Sequence, residues 1–299
     1  MAKYYATAAG LPNIAVEDRK IPFSTSEYIA ELRSVLTRKD EQLLDLLLWE
    51  RENRYLLHYL QAGESEAETE SGPSLFTYEE IGRIIEAHQS DEWGVRVPRF
   101  KHLPPYYYTF IEEHLQQQEG EKETSTTTGI AGEDRLAALY FAHALGCGND
   151  FLEKWFELNL NMRNILAAHT ARRLGWNPAK YVVGDNAVTE KLRTEKARDF
   201  GLTDELEYLP EIMRIAEEGD ITKRERMIDL FKWNWLEEQC FRNVFDIERL
   251  LCYYLQLSII ERWVSLDETT GEETFRRIVS SLKTQSSESL EEFKRNQKK

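Results

Sequence analysis

Three adjacent carboxylate pairs, Glu112-Glu113, Glu217-Glu218 and Glu237-Glu238, have the most direct route to chemistry, because two carboxyls with split pKa values can act as general acid and general base. All three fall in helical patterns, where sequence neighbours point in different directions, so they read as solvated faces rather than shared sites. The six histidines, His58, His88, His102, His114, His143 and His169, stand singly along the chain. His169, close to Arg172 and Arg173, reads as a helix-surface or partly buried side chain rather than a ligand or base. The chain has no G-x-S-x-G elbow, no G-x-x-x-x-G-K-[ST] phosphate loop, no H-E-x-x-H and no dinucleotide glycine fingerprint. No catalytic, cofactor-binding or metal-ligating set is therefore expected, and no nucleotide site.

The polar residues that stand out instead lie in a long helical pattern, FLEKWFELNLNMRNILAAHTARRLG at 151–175. At helical spacing Leu152, Trp155, Phe156, Leu166 and Leu174 share one face. Asn159 and Arg163 fall near its centre, while Glu157, Asn161 and Asn164 point away. A buried amide and guanidinium need partners, so Asn159 and Arg163 are expected to be a structural pair, bonding each other or the end of a neighbouring helix.

The elements that must position these residues read as helices. Ser24-Thr25-Ser26-Glu27, Thr77-Tyr78-Glu79-Glu80 and Thr222-Lys223-Arg224-Glu225 have the form of capping boxes. Beyond Glu133 helical patterns cover about 133–146, 149–174, 204–218, 222–244, 246–264 and 271–283. The Tyr-rich start, Lys3 to Ala9, reads as a short strand or extended lead-in. The polar stretches 61–74 and 116–132 read as mobile linkers. The spacing gives an N-terminal helical lobe over 1–132, further helical lobes over 133–283 and a charged tail over 284–299. Echoes between 43–52, 151–159 and 227–238 hint at three related lobes.

With 41% apolar residues the 299-residue chain can bury a sizeable core, and its 15 glycines and 8 prolines are few enough to favour an α-rich fold. A net charge of −15 argues against nucleic acid as the main partner. No window approaches the roughly 20 apolar residues of a membrane span, so any membrane association is expected to be peripheral. Cys147, Cys240 and Cys252 lack metal spacing and read as small core hydrophobes in a reducing compartment. Arg96, Arg99 and Lys101, beside prolines and Tyr106, Tyr107 and Tyr108, form a candidate surface for a partner or for headgroups.

NMRNIL at 161–166 resembles the Asn-x-Arg-x-aliphatic-aliphatic helix of the C-type (in eukaryotes, d-type) central-stalk subunits of V-type and A-type ATPases. FDIERLLCYYLQLSIIERWVSL at 245–266 is similar to that family's last long helix, with Tyr254 followed seven residues later by Glu261 and then Arg262. The motif positions are thus Asn161, Arg163, Tyr254 and Glu261. The N-terminal YYATAAGLPNIAVEDRK and IPFSTSEYIAEL look still more like a bacterial branch of that family, of unassigned function and associated with V-type ATPases. One departure is Ala167, where many members carry a second Arg. Any contact of that Arg is in doubt here, though not the fold.

The resemblance implies an all-α, multi-lobed helical funnel of three related bundles. It further implies a non-enzymatic central-stalk adaptor that couples the rotating shaft to the membrane proteolipid ring. Its partners would be the central-shaft subunits and that ring, with neither nucleic acid nor nucleotide, and it would lie on the cytoplasmic face of the cell membrane, held there through proteins. The alternative is a free-standing helical scaffold unrelated to the ATPase.

Overall fold

The computed structural model describes residues 3–62, 75–90, 96–121, 128–241 and 243–266, and every regular element among them is helical, so the fold is all-α. The chain divides into two compact units, one formed by Met1–Val35 with Asp229–Lys299 and the other by Leu36–Ile228. The boundary expected at 132/133 therefore falls inside the second unit. The tail 284–299 and the helix expected at 271–283 lie outside the described residues.

In the first unit α1 (Tyr5–Gly10) occupies the stretch expected to be extended. Ala6, Ala8 and Ala9 are the best helix formers, and their propensity outweighs the strand preference of the tyrosines. Tyr4, just before the helix, donates its N–H to the Phe245 carbonyl at 2.8 Å. α2 (Thr25–Val35) opens on the expected box: Glu27 N–H donates to Ser24 Oγ at 3.1 Å and Ser24 N–H to Glu27 Oε2 at 2.7 Å. α10 (Ile221–Cys240), whose last turns belong here, and the helix at 247–266, α11, complete the unit. Tyr28 and Tyr253 meet edge to face at 5.2 Å, and Tyr28 Oη donates to the Leu250 carbonyl.

Cys240 and Cys252 pair as a disulfide, their Cα atoms 6.6 Å apart, which corrects the reading of three unpaired cysteines. The reversal between α10 and α11 brings together thiols 12 residues apart, a proximity that spacing alone does not reveal. Cysteine usage thus gives no ground for a reducing compartment. Cys147 is free and half-buried.

The second unit contains α3 (Arg38–Ala62), α4 (Tyr78–Gln89), α5 (Pro105–Glu121), α6 (Thr128–Ala144), α7 (Asp150–Arg173), a short 3-10 turn (Pro178–Lys180), α8 (Ala187–Thr194) and α9 (Leu209–Glu217). α4 packs on α5, α5 on α6 and α6 on both α3 and α7, while α7 also carries α8, α9 and the 3-10 turn. α7 is the hub, and its buried positions, from Phe151 through Leu160 to Ala171, wrap most of its circumference.

The stretch 116–132 is not simply a linker. α5 runs on to Glu121 and α6 begins at Thr128, with 122–127 outside the described residues. Gln and Glu are good helix formers, so a polar run can remain helical. Of 61–74, Gln61 and Ala62 end α3, and the rest lies outside the described residues. The box at Thr77 and Glu80 is present. The one expected at Thr222 is not: Asp220 caps α10, its Oδ1 accepting from Lys223 N–H at 2.9 Å and its carbonyl from Arg224 N–H. A carboxylate two residues earlier outcompetes a hydroxyl already inside the helix.

Candidate functional site

The polar residues of α7 are placed by its two ends. Asn149 caps the start, accepting from Leu152 N–H at 3.1 Å. From there Asn161 and Asn164, not Asn159 and Arg163, point into the protein: they are 1% and 0% exposed. Asn164 Nδ2 donates to the Val183 carbonyl at 2.7 Å and Asn164 Oδ1 accepts from Val183 N–H at 3.0 Å, completing a loop backbone that has no helix or sheet partner. Asn164 Nδ2 also reaches Thr189 Oγ1 at 3.2 Å. Asn161 Oδ1 accepts from Asn186 Nδ2 at 2.9 Å and Asn161 Nδ2 donates to Tyr208 Oη at 3.1 Å. Asn186 in turn caps α8 through Thr189 N–H. Two asparagines one turn apart thus bind the 181–186 loop, α8 and Tyr208 to the hub.

The expected pair Asn159 and Arg163 is corrected accordingly. Asn159 Nδ2 only returns to the Trp155 carbonyl within its own helix, and Arg163 forms a half-exposed ion pair with Asp134 at 2.7 Å. A helix packed on several sides has no single apolar face, so the face defined by Leu152, Trp155 and Phe156 does not decide which polar residues are inside.

In the first unit Glu261 has a comparable role. Its carboxylate accepts from both the N–H and the Oγ1 of Thr25, capping α2 from 236 residues away. Arg262 pairs with the buried Asp229, which also accepts from Trp263 Nε1 at 2.6 Å. Tyr254 is half-buried. The motif positions Asn161 and Glu261 thus act as internal fasteners, whereas Arg163 makes a half-exposed ion pair.

The candidate partner surface is divided. Arg96, Arg99 and Lys101 are exposed, but Tyr106, Tyr107 and Tyr108 are buried, which removes them from any interface. Pro105 starts α5, so the three rings sit in its first turn among neighbouring helices. Tyr106 Oη donates to Asn53 Oδ1 at 2.8 Å, Tyr108 Oη accepts from Phe100 N–H at 2.7 Å, and Tyr107 packs edge to face on Trp49. Two of the hydroxyls thus find a polar partner, whereas that of Tyr107 is buried without one among the described residues and its ring is held by aromatic packing.

The carboxylate pairs do not converge. Glu113 takes a two-pronged bond from Arg135 at 2.6 and 2.7 Å, which holds its carboxyl below the usual range. Glu217 pairs with Arg198, Glu218 with Lys223, and Glu237 accepts from Trp233 Nε1. Among the described residues no group of three or more His, Cys, Asp or Glu is placed to hold a metal ion. A buried acid that sequence reasoning missed is Glu52. It accepts from Arg51 and from Leu75 N–H at 3.0 Å, and only its unusual place in an apolar helix signalled it.

Two concavities lie at the C-terminal end of α7. Gly175, at φ 73°, gives the helix a Schellman ending: Trp176 N–H donates to the Ala171 carbonyl and Gly175 N–H to that of Arg172. The turn lays Trp176, 52% exposed, against Tyr181 with ring centroids 5.5 Å apart. On one side is a cleft of about 390 Å³ with α7, Trp176 and Tyr181 along its walls. Arg173 also lines a second cleft, of about 430 Å³, with His169, Arg172, Arg198, Phe200 and Glu217. Arg172 stacks on Phe200 at 3.6 Å and donates to the carbonyls of Glu195 and Ala197. Phe200 itself is held at φ 55°, a left-handed conformation that a bulky side chain adopts only under constraint. Burial and the nearby arginines hold His169 below its ordinary value, keeping it neutral near pH 7.

No curated protein and no solved structure matches the chain. The family described as "Protein of unknown function (DUF2764)" matches residues 1–286, nearly the whole length. The chain belongs to the DUF2764 family.

Proposed function

We propose that this protein is a non-enzymatic adaptor in the central stalk of a bacterial V-type ATPase, joining the rotating shaft to the proteolipid ring on the cytoplasmic face of the membrane. The reading rests on the NMRNIL helix and the Tyr254–Glu261 helix, which resemble those of the C-type stalk subunits in order and separation. The observation that carries it is the behaviour of Asn161 and Glu261. Both sit within hydrogen-bonded clamps that tie remote segments to a helix, a use that suits a torque-bearing body. An all-α build, with no described helix long and apolar enough to cross a membrane, fits attachment through protein partners. The three-lobed funnel belongs to the same proposal.

The test is affinity purification of the tagged full chain from cells containing the ATPase, with reciprocal capture on the tagged shaft and on the solubilised ring. Co-purification with shaft or ring in stoichiometric amount is expected. Recovery of the chain with neither would sink the reading.

A further inference from the structure

We propose that the groove along the C-terminal half of α7 docks an acidic amphipathic helix of a partner protein. The floor of the groove is small and apolar: Leu166, Ala167 and Ala171 from α7, with Ala216 and Ile228 opposite. Small side chains at helical spacing let another backbone come close. One wall is the exposed Trp176 stacked on Tyr181, a flat aromatic edge of the type that anchors interfaces.

Charge selects the occupant. Arg173 and Arg224 both line the groove, and among the described residues neither guanidinium has an ion-pair partner. Their neighbours are already engaged: Arg172 is locked on Phe200 and two carbonyls, and Arg198 pairs with Glu217. Two unpaired guanidiniums outnumber the one carboxylate lining the groove, Glu225, in a chain whose net charge is −15. They match carboxylates spaced along one side of a helix whose other side is apolar. The net charge does not prevent this, because at physiological salt fields fade over about 8 Å while contact pairs are felt fully. A nucleic acid would need a longer cationic track than two arginines beside Glu225 provide. The groove lies wholly within the second unit, and the inference does not depend on the adaptor reading.

The test is fluorescence anisotropy on the full chain with two labelled synthetic helices. One carries Leu along one face and Glu along the other; in its counterpart Lys replaces Glu. The Glu helix should bind saturably and the Lys helix should not. Arg173→Glu combined with Arg224→Glu should weaken binding about tenfold or more. Trp176→Ala should weaken it as well, by removing the wall. If the charge reversal perturbs folding by circular dichroism, Arg173→Gln with Arg224→Gln supplies the same comparison with smaller effect. Absence of binding, equal binding of the two helices, or binding unchanged in the double variants would overturn the proposal. So would displacement of the Glu helix by millimolar inorganic phosphate, which would make the groove a simple anion site. Failure here would leave the capture experiment with shaft and ring unaffected.

Discussion

Asn164 and Arg163 are neighbours on α7 with opposite fates. Asn164 is fully buried and uses its amide to close both backbone groups of Val183, whereas Arg163 reaches a half-exposed Asp134. Removing the Asn164 side chain leaves the Val183 N–H without a partner and its carbonyl with only the 3.4 Å bond from Thr189 Oγ1, so Asn164→Ala should cost about 2 kcal/mol. Arg163→Met should cost less, about 1 kcal/mol, because the pair it breaks is half-exposed. Urea denaturation of both variants checks this, and equal losses would show that the buried clamp is not the stronger fastener. Spacing located the polar cluster but put the wrong residues inside. The signal that would have identified the buried ones is the run of Leu158, Leu160, Met162 and Ile165, which covers the supposedly outward side. Tyr106, Tyr107 and Tyr108 misled for a related reason: an aromatic beside a proline looks the same in sequence whether its hydroxyl meets water or, as at Tyr106, Asn53.

At the scale of the element, α7 depends on its stop as much as on its core. Gly175 at φ 73° ends it, and no atom crowds a Cβ built there, so the cost of a side chain is conformational rather than steric. Gly175→Ala should therefore destabilise the protein by about 1 kcal/mol through the left-handed backbone alone. Since Trp176 N–H belongs to the same motif, the variant should also change the protection of Trp176 in amide hydrogen exchange. An unchanged stability together with unchanged exchange would contradict this account. Helix existence was legible where apolar periodicity and caps are local, as at the boxes of Ser24 and Thr77, which lie where their spacing put them, but not for the short α1 and α8. Helix ends were less legible. The polar Gln116 to Glu121 continues α5, Asp220 displaces Thr222 as a cap, and the Ala-rich start coils instead of extending. Long-range caps were invisible, since nothing near Thr25 announces a carboxylate from residue 261.

For the whole molecule, these contacts give stability a defined dependence on pH. Glu27, Glu113, Asp199 and Glu218 all have carboxyls held below their ordinary values, chiefly by hydrogen bonds from Ser24, Arg135, Thr203 and Lys223. A carboxyl depressed by folding adds stability above its unfolded pKa and loses it as pH falls through the folded one. His143 and His169 are lowered mainly by burial, so below their ordinary 6.5 the unfolded chain takes up protons first, and stability again falls with pH. On the alkaline side the sign reverses. Burial raises Tyr28, Tyr106, Tyr107 and Tyr253, the last to about 12, so stability is complete below the ordinary 10 and declines above it. Protonating carboxylates also relieves the self-repulsion of a chain at −15, which acts the other way. At physiological salt that repulsion is screened beyond about 8 Å, whereas the specific bonds are contacts, so their loss should dominate. Urea midpoints should therefore be highest between about pH 7 and 9, decline gently below about 6.5 and fall steeply below about 4.5. A midpoint that stayed level or rose from pH 7 to 4 would mean that relief of net charge, not these contacts, governs the acid limb.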